Sequence, residues 1–588
     1  MMGMMKWQSW IWQAIGLAAI LLFGGGSAAA QTNVTAFVDV NVLLMDVGRI
    51  APGQTVLVRQ GRIAAIGPTL TIDVPAGAAI IEGRGRYLIP GLVDSHVHLP
   101  GTTFFPARPD FGDAPLYLAY GVTTVVNMGG TPEVLDWRRQ VEAGTILGPT
   151  IYTAGRFVNE PLVNDPDAVR REVQTQARAG YDLVKFREVM DPSGRFQTTT
   201  RGLDRASYHA LNVAARSAGM PIIGHAPVNL GLEALLEEQQ SLAHIGALSN
   251  LHFLPLAANR NIIVATGVAL LVLLALVFGW AGGAIFQPRP PADPRLQARR
   301  WIKGMTSAVL TAGLVALAGA ALVLPGGPLF ASRALRILIS GAAAISVVGA
   351  VSLCALAVQR WRNVQAPRMR LSAGAAALAA LVLASVLVGF WAPVAWRSDA
   401  ANITKLAERL AASDMVVVTT LINYEFLAER ERAALIDDLA IGYLPEPVRS
   451  RWRSFPREGR PLYHYHDFTR AVARELHRAG VPLLAGTDAL GFPLIVPGAS
   501  LHRELKILVD SGLSPLEALR TATANPATFL DAQKDFGDIA VGRRADLLLV
   551  SHDPLQDLSS LRRPDGVMAR GRWVSREDLD RALERLAE

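Results

Sequence analysis

Six side chains in this sequence are of types that bind divalent ions or relay protons: His96, His98, Lys185, His225, His244 and Asp488. The first two close the run Gly91-Leu92-Val93-Asp94-Ser95-His96-Val97-His98. In an extended strand successive side chains point to opposite faces, so His96 and His98 share one face. Two imidazoles side by side can hold one divalent ion. An isolated pair of this kind is equally compatible with two hydrogen-bonded core histidines. Lys185 ends Tyr181-Asp182-Leu183-Val184-Lys185-Phe186. Alternation puts Tyr181, Leu183 and Lys185 on one face, with Val184 and Phe186 on the other. A buried ammonium is costly and tends to lose its proton. The neutral amine can take up carbon dioxide as a carbamate, an anion able to bridge two metals. A lysine snorkelling to a rim would leave the same trace in the sequence. The set as a whole favours the metal reading, because imidazoles, a carboxylate and a lysine close successive strand-like runs. Such a nitrogen and oxygen set suits zinc, manganese, iron or cobalt.

Bringing six distant residues to one point requires strands that end together. His225 follows Met220-Pro221-Ile222-Ile223-Gly224, and His244 lies in Ser241-Leu242-Ala243-His244-Ile245. Asp488 closes Val481-Pro482-Leu483-Leu484-Ala485-Gly486-Thr487. These are short apolar runs, as buried parallel strands are. The chain ends differ in character. Val34 to Leu88 alternates apolar and polar residues with Gly and Pro breaks, and Gln60-Gly61 reads as a hairpin turn. Asp535 to Val574 has the same pattern. Ser514 and Pro515 read as the N-cap and first turn of a late helix.

These segments resemble the amidohydrolase superfamily, in its imidazolonepropionase-like and prolidase-like branch. The resemblance is carried by Pro90 to His98, Gly121-Val122-Thr123-Thr124-Val125, Gly224-His225-Ala226-Pro227, Ser241 to His244, Gly486-Thr487-Asp488 and the tail Gly537 to Leu547. It implies an α/β fold, a (β/α)8 TIM barrel formed by residues 91–260 and 397–534. A small β-sandwich from both chain ends, residues 31–90 and 535–588, completes it, with a C-terminal helix. It implies two divalent metal ions, with zinc expected. His96, His98 and Asp488 would hold one, His225 and His244 the other, with carboxylated Lys185 between them. It further implies a bridging hydroxide as nucleophile, with Asp488 passing a proton to the leaving amine. Deaminase-type and imidazolonepropionase-type members carry a Glu shortly after the histidine of strand five. Ala226, Pro227 and Val228 follow His225 here, against ring deamination and imidazolone hydrolysis. Hydrolysis of an amide or peptide C–N bond in a small-molecule or peptide-like substrate is therefore expected. The alternatives are a one-metal hydrolase of a cyclic amide or ester, with Lys185 unmodified, and a membrane transport or scaffold protein with a vestigial hydrolase domain.

Weaker candidates stand outside this set. Tyr424, past the seventh expected strand, and His502, near the start of the helix after the eighth, could touch substrate. A partly buried structural tyrosine is the favoured reading of Tyr424, and a capping or supporting role that of His502. His464 and His466 alternate as a strand would and could belong to a lid near the site or to a surface loop.

Composition adds a membrane expectation. Hydrophobic residues make up 51% of the chain and mean hydropathy is +0.28. Between His244 and Met415 lie four apolar stretches: Ile262–Phe286, Met305–Leu324, Ile337–Val358 and Leu371–Trp396. Each reaches the roughly 20 residues that cross a bilayer, so residues 261–396 are expected to be a four-helix transmembrane insert. The clusters Arg289 to Lys303 and Arg360 to Arg370 place the first and third loops in the cytoplasm. Residues 1–30 read as a signal peptide, with an apolar core from Ile11 to Phe23 and small residues up to Ala30. A multi-pass protein of a bacterial-type inner membrane is expected, its catalytic domain periplasmic or extracellular. The bilayer is then a partner, amphiphilic substrates fit, and an oligomer is compatible. Net charge is +7, but residues 261–396 hold eleven Lys and Arg against Asp293, which is +10 and leaves −3 elsewhere. The basic excess thus belongs to the insert, and no nucleic-acid partner is expected. The single cysteine, Cys354, excludes an intramolecular disulfide and a cysteine-based zinc site.

Overall fold

The computed structural model describes residues 34–100, 110–253, 399–428, 439–453 and 463–587, apart from 160, 164, 191–197 and 201, with scattered helical residues between 337 and 389. Five strands come first: β1 (Val34–Leu44), β2 (Arg49–Arg59), β3 (Arg62–Pro68), β4 (Ala79–Glu82) and β5 (Tyr87–Pro90). The β2–β3 hairpin turns on Gln60 and Gly61, both at positive φ, 50° and 74°. This two-residue turn matches the twist of the strands it joins, and glycine adopts it without steric cost.

The strands that carry the candidate residues follow. They are β6 (Leu92–Val97), β7 (Val122–Asn127), β8 (Thr150–Thr153) and β9 (Val184–Phe186), a small hairpin of β10 (Val189–Met190) and β11 (Thr198–Thr200), then β12 (Ile222–Gly224), β13 (Ser241–Leu242), β14 (Val417–Val418) and β15 (Leu483–Leu484). Two parallel sheets result, β6-β7-β8 and β9-β12-β13-β14-β15. Parallel bridges join them at both edges: Ala154 with Leu183, Val158 with Phe186, and Val97 with Ala489. The described strands therefore run in a closed ring. Its interior is packed by Val93, Val126, Ala154, Leu183, Ile223, Ala243, Val418 and Leu484, with Ala532 and Phe536 beneath them. A ring filled this way is a core, not a pore, and leaves the carboxyl ends of the strands free for chemistry.

The chain then returns to the first sheet with β16 (Leu547–Val550), β17 (Gly566–Ala569) and β18 (Arg572–Ser575). The strand order is β18-β17-β16-β5-β1-β2-β3, with β4 paired to β1. Both chain ends thus share one eight-stranded hydrogen-bonded sheet. Alternation explains its place between two cores. Leu547 and Leu549 of β16 join Phe37, Val42 and Met568 on one side. Leu548 and Val550 join Ile89 and Val567 on the side of the ring.

The expected fold class, with its four-helix transmembrane insert, is corrected to a mixed α/β fold. Among the described residues no helix is long and apolar enough to cross a membrane. Most of residues 261–396, and all of the expected signal peptide at 1–30, lie outside the described residues. Where the insert is described, Ala350, Ala377 and Ala384 are buried in one cluster, with Cys354 packed against it. Hydropathy registers burial in protein and burial in lipid alike, so apolar length alone does not separate them. The multi-pass inner-membrane location and the bilayer as partner fall with the spans. So does the case for amphiphilic substrates, which was built on them.

Candidate metal centre

The carboxyl ends of the ring strands bring the histidines and the aspartate together. His96, on β6, is fully buried, and its Nε2 lies 3.3 Å from His98 Nε2. The shared face expected from alternation is met, although the strand register shifts between Asp94 and Val97. Asp488 follows β15 with φ of 61°, a left-handed conformation uncommon for aspartate. That turn points its carboxylate at both histidines, with Oδ1 3.0 Å from His98 Nε2 and 3.4 Å from His96 Nε2. Gly491 is required beside it, since a Cβ there would fall 2.4 Å from Asp488 Oδ1 and 2.5 Å from His98 Cδ2. His244, after β13, brings its ring 4.5 Å from that of His96 and 4.9 Å from that of His225. Ligand atoms of His96, His244 and Asp488 all lie within 4.8 Å of one another.

Hydrogen bonds assign the ring nitrogens. His96 Nδ1–H donates to the Ala243 carbonyl at 3.2 Å, and His225 Nδ1–H to the Glu188 carbonyl at 3.0 Å. A carbonyl only accepts, so both rings carry their proton on Nδ1 and present a bare Nε2. His244 Nδ1 is fixed by the Thr420 hydroxyl at 3.0 Å. His96 Nε2 and Asp488 Oδ1 are then two acceptors facing each other across 3.4 Å. Either the one proton of His98 Nε2 or a cation must sit between them, and a divalent ion serves all three. The donor set therefore fits a metal.

Electrostatics agree. Burial pushes His96 and His225 well below the ordinary imidazole range, with Lys185 and neighbouring histidines adding to the shift, and takes His244 down to about 4. Neutral imidazoles are the ligand form. Burial works against Asp488, but the hydrogen bond from His98 and the positive field of His244, His98 and Lys185 hold its carboxyl below the usual range. Lys185 is completely buried on β9, its Nζ without a hydrogen-bond partner among the described residues. Burial lowers it to about 7.

The two weaker candidates are placed apart. Tyr424 stands in the helix Leu421–Ala428, its hydroxyl accepting from Gly246 N–H at 3.0 Å, two residues past His244. His502 stands in the helix Ala499–Asp510 and donates from Nε2 to the Tyr120 carbonyl at 2.8 Å. Tyr120 precedes β7, so His502 is at the amino end of the ring, opposite the candidate metal ligands. It borders a surface cavity of about 360 Å³ that Arg503, Lys506 and Arg562 also line.

Several residues that support the ligands escaped the sequence reading. Asp94 accepts from His96 N–H at 3.2 Å and from Thr487 N–H and Oγ1–H at 3.0 and 2.6 Å, tying β6 to the Asp488 turn. Asn423 donates to Asp488 Oδ2 at 3.1 Å. Glu504 accepts from the Thr419 hydroxyl and from Leu421 and Ile422 N–H at 3.0 and 2.8 Å, anchoring the end of β14. Arg187 lies over the Phe157 ring, its Cζ 4.7 Å from the centroid. A signal existed for Asp94 and Arg187, which continue the period-two spacing from His96 and from Lys185.

Comparisons with known proteins match this arrangement. The family model described as "Amidohydrolase family" covers residues 87–272 and 464–574. An adenine deaminase from Deinococcus radiodurans is 31% identical over 196 residues, 31% of this chain and 32% of that protein. The chain spans 12%, 32% and 29% of three of the adenine deaminases it matches. Among solved structures, bottromycin amidohydrolase superposes with a TM-score of 0.54 at 19% identity, over 96% of this chain and 94% of that one. A Xaa-Pro dipeptidase superposes at 0.51 and 16% identity, over 92% and 100%. At such identities the likeness is one of fold. With the family match over half of its length, the chain belongs to the amidohydrolase family.

Proposed function

We propose that this chain hydrolyses an amide or peptide C–N bond of a small molecule, using divalent metal held at the carboxyl ends of the ring strands. The observation that carries the reading is the meeting of His96 Nε2, His98 Nε2 and Asp488 Oδ1, three ligand atoms 3.0–3.4 Å apart. His96, His98 and Asp488 would hold one ion, and His225 and His244 a second, with zinc favoured by the imidazoles. Lys185, whose burial lowers its amine to about 7, would join the two as its carbamate. Bound metal supplies an activated water and polarises the scissile carbonyl.

The chain's own residues do the rest. Asp488 takes the proton of the attacking water on its carboxylate and delivers it to the leaving nitrogen. Asn423, bonded to Oδ2, keeps the carboxylate turned for that transfer. The Ala243 and Glu188 carbonyls keep Nε2 of His96 and His225 aimed inward.

Elemental analysis of the freshly purified chain, followed by turnover of a panel of dipeptides and N-acyl amino acids, tests the reading. Stoichiometric zinc with release of the amine is expected. Metal-loaded protein that is inert on the whole panel defeats it. The adenine deaminase relatives motivate a second reading, loss of a ring amine. Ammonia released from adenine, without amide cleavage, would select it.

A further inference from the structure

The strand next to that of His244 makes its turn on a residue poorly suited to it. β14 closes at Val418, and the helix Leu421–Ala428 begins just beyond. Thr420, the last residue before the helix, sits at φ of 41°. Among the described residues at positive φ it is the one β-branched residue. A branched side chain crowds its own backbone in that region, so the conformation is strained. Glycine would make the same turn without steric cost. Strain of this kind persists where the surrounding structure imposes it, and it gathers at functional sites.

Glu504, fully buried in the helix Ala499–Asp510, is what imposes it. A threonine just before a helix ordinarily caps it, its hydroxyl accepting from N–H groups of the first turn. Here those donors are taken by others. Glu504 accepts from Leu421 N–H at 3.0 Å, from Ile422 N–H at 2.8 Å and from the Thr419 hydroxyl. Asn423 N–H goes to the Thr420 carbonyl at 3.2 Å. A carboxylate from a different helix thus does the capping, and the buried Thr420 hydroxyl is left for His244 Nδ1, 3.0 Å away. Backbone carbonyls of Ala243 and Glu188 hold the Nδ1 atoms of His96 and His225. For His244 a side chain does this, and substitution can remove it.

We infer that Thr420 is a positioning residue for His244: the Glu504 clamp holds the turn after β14 in a strained form so that the Thr420 hydroxyl engages Nδ1 and leaves Nε2 as the ligating nitrogen. This rests on the reading of the centre as a metal-dependent C–N hydrolase. A hydroxyl can give or take a hydrogen bond. As the acceptor it keeps the proton on Nδ1, the tautomer that His96 and His225 already hold. Without it, nothing at Nδ1 selects that tautomer.

Metal affinity separates this role from catalysis. The full chain is stripped of metal and titrated with zinc against a chromophoric chelator. Thr420→Val keeps the shape and the β-branch and removes the hydroxyl. Its affinity for zinc is expected to fall roughly 10- to 100-fold, the usual effect of losing a group that orients a ligand. Thr420→Ser keeps the hydroxyl and should restore most of that loss. Wild-type affinity in Thr420→Val overturns the inference. So does an equal loss in Thr420→Ser, because packing and not the hydroxyl would then decide. Denaturant midpoints of the metal-free variants are measured alongside, and a fall in affinity that only tracks lost stability also counts against it. Should Thr420→Val fail to fold, Thr420→Gly carries the comparison, since glycine takes this turn without strain. Wild-type zinc affinity there overturns the inference. Amide turnover is scored separately. Zinc binding that depends on the hydroxyl, with no amide cleaved, defeats the proposed reaction and leaves the positioning role standing. Turnover with zinc binding indifferent to Thr420 does the reverse, and a wild type that binds no zinc defeats both.

Discussion

At the scale of single residues, the chain concentrates its chemistry in Asp488. Asp488→Asn removes the proton acceptor while keeping the hydrogen bond to Asn423 within reach. A fall in kcat of about 10²- to 10⁴-fold is expected, measured on whichever amide the wild type turns over. Gly491→Ala acts on the same carboxylate by pushing it aside, because the added Cβ has no space beside Oδ1 and His98. A loss of metal affinity of roughly 10- to 100-fold follows, readable by competition with a chromophoric chelator. Lys185 gives a labelling experiment. Its amine is held near 7, so the neutral form that reacts with carbon dioxide gains population as pH rises through that value. A carbamate carbon resonance from ¹³C-bicarbonate should therefore strengthen across that window and be absent in Lys185→Met. The six candidate ligands were legible because their types are chemically rare in apolar runs. Asp94, Asn423 and Arg187 were not singled out, because a carboxylate, an amide or a guanidinium near a strand end is ordinary until its neighbours are known.

At the scale of elements, the strand ends are set by buried polar clamps. Glu504 is fully buried in the helix Ala499–Asp510 and holds three donors at the end of β14. Burial raises its carboxyl from 4.5 to about 7, against the pull of those donors. Between these values the folded chain keeps a proton that the unfolded chain has lost. Stability therefore falls as pH rises from 4.5 to about 7 and is level above that, by on the order of 3 kcal/mol. Glu504→Gln should flatten that slope in denaturant midpoints taken across the window, while lowering stability at every pH by misplacing one amide donor. Elements were unevenly legible. Ser514 caps its helix with a full capping box through Glu517, as its sequence suggests. His464 and His466 alternate like strand residues, yet both lie in the helix Tyr463–Arg478. Four residues are too few to separate a period of 2 from one of 3.6, and the longer pattern through Arg478 prevails.

At the scale of the molecule, the candidate metal ligands join segments from both sides of the insert. His96, His225 and His244 precede it, and Asp488 follows it. An ion bound across them favours the folded state by an amount that grows with its concentration over Kd, about 3–4 kcal/mol at 100 to 1,000 times Kd. Chelation should therefore lower Tm, measured by calorimetry, and the double substitution His96→Ala with His244→Ala should show no chelator response. The eight-stranded sheet adds a second tie between the chain ends, where β16 pairs β5 and the Asp546 carbonyl accepts from Gly91 N–H at 2.8 Å. The insert is where sequence and structure diverge. Four apolar stretches satisfied every hydropathy criterion for membrane spans, and no described helix meets the length and apolarity that crossing requires.

Residue type and spacing by themselves determined that this chain has a metal-type donor set, that its candidate ligands stand at the ends of short apolar strands, and that its chain ends carry antiparallel hairpins, although β4 and β5 pair parallel to β1. Those properties are local, written in periods of two and in the chemistry of single side chains. Tertiary structure alone decided which Nε2 is bare, that Asp488 takes a left-handed turn toward two histidines, and that Arg187 stacks on Phe157. Each of these depends on neighbours distant in sequence, and hydrophobicity, being without direction, does not name them.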